Sequence, residues 1–133
     1  MPVKLEHLTQ PADADWTDLE KIRSETSPLG LDAGMLLADW ITPERWIIGG
    51  RFNDRIIGAL LAERIGNDVT LSHAGVRTIT QRRGVLHQMI HFLQTWANDQ
   101  NLTLRTPAGS TLDDALLKRG FQRNGELLVY KKD

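Results

Sequence analysis

The sequence predicts an α/β domain in which helices cover both faces of a mostly antiparallel central sheet. Two observations carry this prediction. The spacing of apolar residues switches between the two-residue period of strands and the longer period of helices, and turn signals interrupt the chain at short intervals. The predicted order is β-α-α-β-β-β-α-β-α-β. The 133 residues are expected to form one domain spanning 1–133, since domains of this size are common.

The first elements have local start and stop signals. Residues 3–8 alternate apolar and polar side chains and predict a strand. A helix is predicted to open near Asp13 and to end at Ser27-Pro28, because the residue before a proline is driven out of helical geometry. Asp32 is expected to cap a second, short helix that stops before Pro43.

Three strands with hairpin turns between them follow. They are predicted at residues 46–52, 56–65 and 69–76. Asn53-Asp54 forms the first turn and residues 66–68 form the second. Consecutive strands joined by such tight turns predict an antiparallel meander.

After the meander the apolar period becomes that of an amphipathic helix, which starts at Gly84. A later helix is expected to be capped by Ser110 or Thr111 and to end before Gly120. Two strands complete the pattern, at residues 102–105 and 127–130.

Composition excludes several classes of function. The chain has no cysteine, which rules out disulfides, zinc thiolates and cysteine nucleophiles. Its net charge of −1 gives the surface as a whole no electrostatic reason to seek nucleic acid or membrane. No apolar run approaches the roughly 20 residues that span a bilayer, and the first residues do not form a signal peptide. A cytoplasmic protein without nucleic-acid or membrane partners is expected.

The loop before the long helix predicts a phosphate site. Arg82 and Arg83 precede Gly84, and Arg77 adds a third positive charge nearby. The N-terminus of a helix has unpaired amides and a partial positive charge, and glycine lets the backbone approach a ligand closely. A diphosphate site is one interpretation, and a solvated basic loop before an ordinary helix is the other.

This loop also resembles a known one. The sequence Gln81-Arg82-Arg83-Gly84-Val85 is similar to the pyrophosphate loop of GCN5-related N-acetyltransferases (GNAT), and residues 117–121 resemble the late helix-to-strand signature of that superfamily. The resemblance implies the GNAT fold and acetyl-CoA (or CoA) as cofactor. The residues that it implies for cofactor binding are Ala74, Gly75, Val76, Gln81, Arg82, Arg83, Gly84, Val85, Leu86 and His87.

A narrower resemblance covers short segments along most of the chain. Residues 18–22, Ser27-Pro28, residues 51–55 and the phosphate loop are similar to the aspartate decarboxylase maturation factor family, PanZ or PanM. That family implies a regulator that binds acetyl-CoA and promotes self-cleavage of the aspartate 1-decarboxylase precursor in pantothenate biosynthesis. It also implies partner contact by Arg51 and Asn53, although turn chemistry alone explains an asparagine at position 53.

Leu86 departs from the GNAT pattern, which has glycine or alanine there. Its side chain either crowds a bound pyrophosphate or simply continues the apolar stripe of the helix. The first alternative leaves cofactor affinity open. An interaction module that has lost the cofactor is therefore a further hypothesis.

The sequence does not identify a catalytic acid. Many GNAT enzymes place a tyrosine on the late helix, whereas the only tyrosine here is Tyr130, in the last predicted strand. His73 is a weak candidate base, and Glu63 is more typical of a solvated strand residue. A working N-acetyltransferase for a small amine or a protein N-terminus therefore stays the alternative to a regulator.

Two other patterns are interpreted as structural. His87 and His91 share a helix face, but Gln88 stands where a metalloprotease needs glutamate, so no metal site is predicted. The four tryptophans are spread over separate elements without interleaved basic residues. They are expected in the core and in grooves, not in a base-stacking surface.

Overall fold

A computed structural model of the chain describes residues 2–27, 30–80, 84–110 and 112–132. Within these ranges the strands are β1 (Lys4–Leu8), β2 (Arg45–Phe52), β3 (Arg55–Ile65), β4 (Asp68–Val76), β5 (Thr103–Pro107), β6 (Gln122–Asn124) and β7 (Leu127–Tyr130). The helices are α1 (Asp13–Thr26), α2 (Leu37–Trp40), α3 (Val85–Gln100) and α4 (Asp113–Lys118), with a short 3₁₀ turn at Thr78–Thr80.

The strands form one sheet in the order β1-β2-β3-β4-β5-β7-β6. Every neighbouring pair is antiparallel except β4 and β5, which run parallel. The predicted meander of β2, β3 and β4 is confirmed. The parallel pair requires a crossover, and α3 supplies it between β4 and β5.

One strand was not predicted. β6 is three residues long and all three are exposed, so it has no apolar alternation that a sequence pattern could detect. It forms because Gly125, at a φ of 65°, turns the chain back onto β7. Pairing with β7 therefore creates this element, not its own side chains.

The second helix begins later than predicted. It starts at Leu37, with Leu36 as its N-cap residue, so the assignment of Asp32 as the cap is wrong. The Asp32 carboxylate instead accepts hydrogen bonds from the Gly34 amide at 3.0 Å and the Ser27 hydroxyl at 2.9 Å. Aspartate in such a local turn competes with helix formation, which explains the delay.

Helices cover both faces of the sheet, as predicted. On one face Leu19 and Ile22 of α1 are fully buried against strand residues such as Ile47. On the other face Met89 and Leu93 of α3 are equally buried. Strands β2 and β3 are apolar on both sides because each side meets a helical layer.

Glycines let α3 approach the sheet closely. A β-carbon added at Gly50 would stand 2.8 Å from the sulfur of Met89, and one added at Gly58 would stand 3.0 Å from it. Both distances are too short for larger residues without displacement. The two glycines therefore determine how deep α3 lies, and with it the position of its N-terminus.

The helix ends agree with the predictions in part. Gly84 is the N-cap residue of α3, as expected. α4 follows Leu112 as its N-cap residue, whereas the hydroxyl of Ser110 accepts a hydrogen bond from the Leu112 amide at 3.1 Å, and Thr111 lies outside the described residues. In the part of the chain that the structure describes, no helix is long and apolar enough to cross a membrane.

Candidate ligand-binding cleft

A cleft opens where the two parallel strands part. β4 and β5 pair only from Asp68 to Thr70 and from Thr103 to Arg105, so the rest of β4 has no strand partner on that side. The opening has a volume of about 300 Å³. Its walls come from both strands, α3, and the segment around α4: Leu60, Leu71, Ser72, His73, Ala74, Leu86, Ile90, Thr106, Pro107, Ser110, Leu112 and Leu116.

A β-bulge in β4 helps to separate the strands. Gly75 pairs with Ala59 and Ser72 pairs with Leu61, so the single residue Leu60 faces two residues of β4. One of these, His73, has a φ of 52°, in the left-handed region. Bulges bend the strand that carries the extra residue, and this one lies at the widening of the cleft.

Beyond the bulge, an edge of β4 that has no strand partner on the side of β5 meets the cleft at Ala74. Ala74, Gly75 and Val76 continue β4 beyond its last pairing with β5. Gly75 and Val76 pair with Ala59 and Gly58 of β3 on the other side of the strand. A ligand with an extended amide chain can add to such an edge in the manner of another strand.

The N-terminus of α3 lies at the same cleft. Gly84, at a φ of 72°, is the N-cap residue of this 16-residue helix, and as a glycine it makes no side-chain cap hydrogen bond. An N-terminus in this condition attracts an anion. Val85 is buried, His87 is exposed, and the predicted phosphate ligands Gln81, Arg82 and Arg83 lie outside the described residues.

Leu86 combines the two roles that the sequence left open. As part of the apolar stripe of α3, it packs against the hydrophobic core, as expected. It also lines the cleft, and it lines a small crevice together with His87, Leu112 and Arg119. The side chain therefore occupies wall space that glycine or alanine would leave to a ligand.

His73 is the titratable side chain among the described residues that line the cleft. His73 is exposed, and it lies close enough to Asp32 to affect the pKa of that carboxyl group. The pKa of Asp32 is lowered chiefly by the hydrogen bond from the Gly34 amide and then by that from the Ser27 hydroxyl, with smaller contributions from Arg23 and His73. Glu63 pairs across β3 and β4 with Thr70 and is not part of the cleft.

The tyrosine is far from this chemistry. The Tyr130 hydroxyl donates a hydrogen bond to Asn98 Oδ1 at 3.0 Å, and its ring packs beside Phe121. α4 brings Leu112 and Leu116 to the cleft instead. Among the described residues, the position of a tyrosine acid on the late helix is occupied by aliphatic side chains.

The remaining sequence motifs have structural surroundings. In the described part of the chain no three metal-binding side chains cluster, and the His91 ring contacts Phe92. The His7 ring lies beside Trp46 and Trp96, and burial against them lowers the pKa of His7.

Arg51 is held within the chain. Its guanidinium binds Glu6 at 3.0 Å and Asp15 at 3.1 Å, and it donates to the Asp54 carbonyl. The pKa of Arg51 is raised, first by the hydrogen bond with Glu6 and then by that with Asp15. Asn53 is exposed at the tip of the turn, at a φ of 49°.

Arg77 is not a free cation either. Its Nε donates to Glu25 at 2.8 Å, and the other oxygen of Glu25 accepts from the Thr78 amide at 2.8 Å. The pKa of Glu25 is lowered, first by the Thr78 amide and then, against partial burial, by Arg77. No local sequence pattern indicated Glu25, or Ser72, Thr106 and Ser110 as cleft residues, because only the fold brings them together.

Solved structures with the same architecture are known. YhhK from Escherichia coli, solved in solution bound to coenzyme A, has a TM-score of 0.72 at 22% identity over 99% of this chain and 100% of its own. The ribosomal-protein-S18-alanine N-acetyltransferase of Escherichia coli has a TM-score of 0.75 at 13% identity over 96% and 91%. An N-acetyltransferase of Thermoplasma acidophilum in complex with coenzyme A has a TM-score of 0.70 at 13% identity over 99% and 100%.

The sheet, its parted strands and these structural relatives define a GNAT-class α/β protein, as predicted from the sequence. Residues 2–124 match the family model described as "Acetyltransferase (GNAT) domain, PanZ". The chain belongs to this PanZ family. A curated relative, the PanD regulatory factor of Escherichia coli (strain K12), is 32% identical over 85 residues, which are 64% of this chain. The match spans only 61% of that relative's length.

Proposed function

We propose that the chain binds acetyl-CoA or CoA and acts as an acetyl-CoA-dependent regulator that promotes self-cleavage of the aspartate 1-decarboxylase precursor. The observation that supports this most is the cleft between β4 and β5, with the N-terminus of α3 at its side. Membership of the PanZ family and the likeness to a PanD regulatory factor favour this partner. The cytoplasm is the proposed location.

The proposed ligand follows the strand edge and then the helix. Its pantetheine arm pairs with the backbone of residues 74–76, and the amides near Gly75 and Val76 polarise the thioester carbonyl. Its diphosphate binds the side chains of residues 81–83 and the amides of residues 84–87. Acetyl-CoA would supply the thioester, and the chain would supply its orientation.

Regulation is favoured over catalysis by the composition of the cleft. Acetyl transfer needs a group that accepts a proton from the amine and one that donates a proton to the leaving thiolate. His73 is the one histidine among the described lining residues, and the Tyr130 hydroxyl is bonded to Asn98 outside the cleft. A bound thioester would therefore persist long enough to be sensed.

The proposed partner contact involves the turn between β2 and β3. Asn53 is exposed there and free to point outward. The side chain of Arg51 is 18% exposed, and its bonds with Glu6 and Asp15 would hold its orientation beside the turn. The network would then present a preorganised surface to the decarboxylase precursor.

Two measurements test the proposal. Calorimetric titration with acetyl-CoA should show binding that the double change Arg82→Ala and Arg83→Ala weakens markedly, since each charge-assisted bond is worth about 1.5–3 kcal/mol. Arg123→Ala on β6 is the matched control, because that arginine lies on the far edge of the sheet. Absence of binding by the unchanged chain refutes the cofactor.

The partner is tested by capture of the decarboxylase precursor with and without acetyl-CoA. We expect a complex that depends on acetyl-CoA and is weakened by Asn53→Ala. No complex under either condition rejects the regulatory function even if the cofactor binds.

A second candidate function is N-acetyl transfer to a small amine or a protein N-terminus. The exposed His73 in the bulge, close to the charge of Asp32, favours it. Thiol release across a panel of amines measures it, and His73→Ala should abolish any release. If no amine in the panel gives thiol release although the cofactor binds, N-acetyl transfer is rejected and the regulatory function is retained.

A further inference from the structure

One carboxylate joins the end of α1 to the segment that leads from β4 to α3. Glu25 Oε2 accepts from Arg77 Nε at 2.8 Å, and Glu25 Oε1 accepts from the Thr78 amide at 2.8 Å. Because both oxygens bind consecutive residues, they determine the direction in which the chain leaves β4.

The same segment is also held by a hydrogen bond to β3 and by hydrogen bonds within the segment itself. The Arg77 amide donates to the Ile57 carbonyl at 2.8 Å, and both the amide and the hydroxyl of Thr80 donate to the Arg77 carbonyl at 2.9 Å. Thr80 is 5% exposed. Residues 77–80 therefore form a turn fastened to β3 and α1, directly before the proposed diphosphate ligands at 81–83.

The charges in this turn also need an explanation. A carboxylate near an anion site would repel a phosphate unless its charge were matched. Here Arg77, 20% exposed in its side chain, is paired with Glu25 at 2.8 Å. The pair is close to neutral overall, so its contribution to a phosphate site is geometric and not electrostatic.

We propose that Glu25 is a positioning residue for the diphosphate of coenzyme A, acting through Arg77 and Thr78 on the turn of residues 77–80 that leads toward α3. This inference rests on the proposed cofactor. Phosphate binding by backbone amides and arginines requires those donors to converge before the ligand arrives, and ordering a loose loop on binding costs affinity. The Glu25 contacts fix the turn of residues 77–80, from which the chain leads toward the N-terminus of α3.

The test compares two ligands on three variants. Coenzyme A carries the diphosphate, whereas pantetheine lacks it, and binding of both is measured by NMR titration. We expect Glu25→Ala to weaken coenzyme A about tenfold, as for loss of hydrogen bonds to a charged group, and to leave pantetheine unchanged. Glu25→Gln should fall between, because its amide oxygen still accepts from Thr78 while the ion pair is lost.

Glu20→Ala is the matched control. Glu20 also lies on α1 and binds an arginine, Arg23, at 2.8 Å, but this contact stays within the helix. It should leave both affinities unchanged. If Glu25→Ala does not fold, Glu25→Gln carries the same comparison.

Two results would overturn the inference: coenzyme A binding as tight in both Glu25 variants as in the unchanged chain, or an equal loss for both ligands, which would mark a general structural role. An unchanged chain that does not bind coenzyme A refutes the proposed function, and this inference with it. The two failures are therefore distinguishable.

Discussion

Thr26 of α1 lies directly against Gly75 of β4. A β-carbon added at Gly75 would stand 2.9 Å from the Thr26 hydroxyl oxygen and 3.0 Å from Ile22 Cγ2. The same hydroxyl donates to the Ile22 carbonyl at 2.7 Å and accepts from the Leu31 amide at 3.0 Å. The end of α1, the loop after it and the edge of the cleft are thus packed as one contact.

This contact predicts the effect of Gly75→Ala. The added methyl group overpacks the α1–β4 interface, and we expect the free energy of unfolding to fall by about 1–3 kcal/mol. Chemical denaturation measures it. In a Thr26→Ala background the same change should cost less, because one of the two obstacles is gone. Equal costs in both backgrounds would contradict the contact.

Replacing Leu86 with alanine should have opposite effects on the stability of the fold and on the affinity for acetyl-CoA. Leu86→Ala removes core contacts of a half-buried side chain, so we expect the free energy of unfolding to fall by about 1–2 kcal/mol. It also frees space in the cleft wall, so the affinity for acetyl-CoA should rise. Denaturation and calorimetry on the same samples check both. A loss of affinity would show that the leucine contributes to the ligand site.

The contacts of Asp18 imply that the fold loses stability in acid. Its side chain is 2% exposed and accepts from the Arg55 guanidinium and, at 3.1 Å, from the Ile56 amide. The pKa of Asp18 is lowered, first by the hydrogen bond from Arg55, against the opposing effect of burial. A lowered folded-state pKa stabilises the fold above the unfolded value of about 4 and loses that contribution as the pH falls through the folded-state pKa.

Asp18→Asn isolates this contribution. The amide keeps one acceptor but loses the charge, so we expect a loss of about 2 kcal/mol in the free energy of unfolding at neutral pH. Its stability should also decline less than that of the unchanged chain below about pH 4. If the free energy of unfolding of the two proteins declined equally as the pH falls, the assignment would be refuted.

Replacing Tyr130 with phenylalanine should lower the stability of the fold without affecting ligand binding or activity. Tyr130→Phe removes the hydrogen bond to Asn98, which is worth about 1 kcal/mol. Coenzyme A affinity and any thiol release should stay unchanged, because the hydroxyl lies outside the cleft. A drop in thiol release would instead place the tyrosine in the chemistry.

Most of the fold follows from local patterns. The meander, α1 and α3 were predicted because alternation, prolines and glycines act within a few residues of one another. β6 and the start of α2 escaped prediction. The first depends on pairing with β7, and the second on a turn at Asp32 that outcompetes the helix.

The candidate site divides in the same way. The proposed phosphate loop was identified from the sequence and stays a prediction, and the late helix contains no tyrosine in the sequence. The bulge at His73 was not, because only the register against Ala59 and Leu61 reveals it. Nor was the state of the arginines: Arg51 and Arg77 pair with carboxylates 45 and 52 residues away along the chain.

The sequence alone therefore determined the order of the elements, the glycine at the start of α3 and the lack of cysteine chemistry, since each depends on neighbouring residues or on composition. Only the tertiary structure decided where β4 leaves β5, which side chains line the opening and which charges are already neutralised. Those properties arise from contacts between segments distant in the chain, and hydrophobic periodicity specifies which face is buried without specifying what it meets.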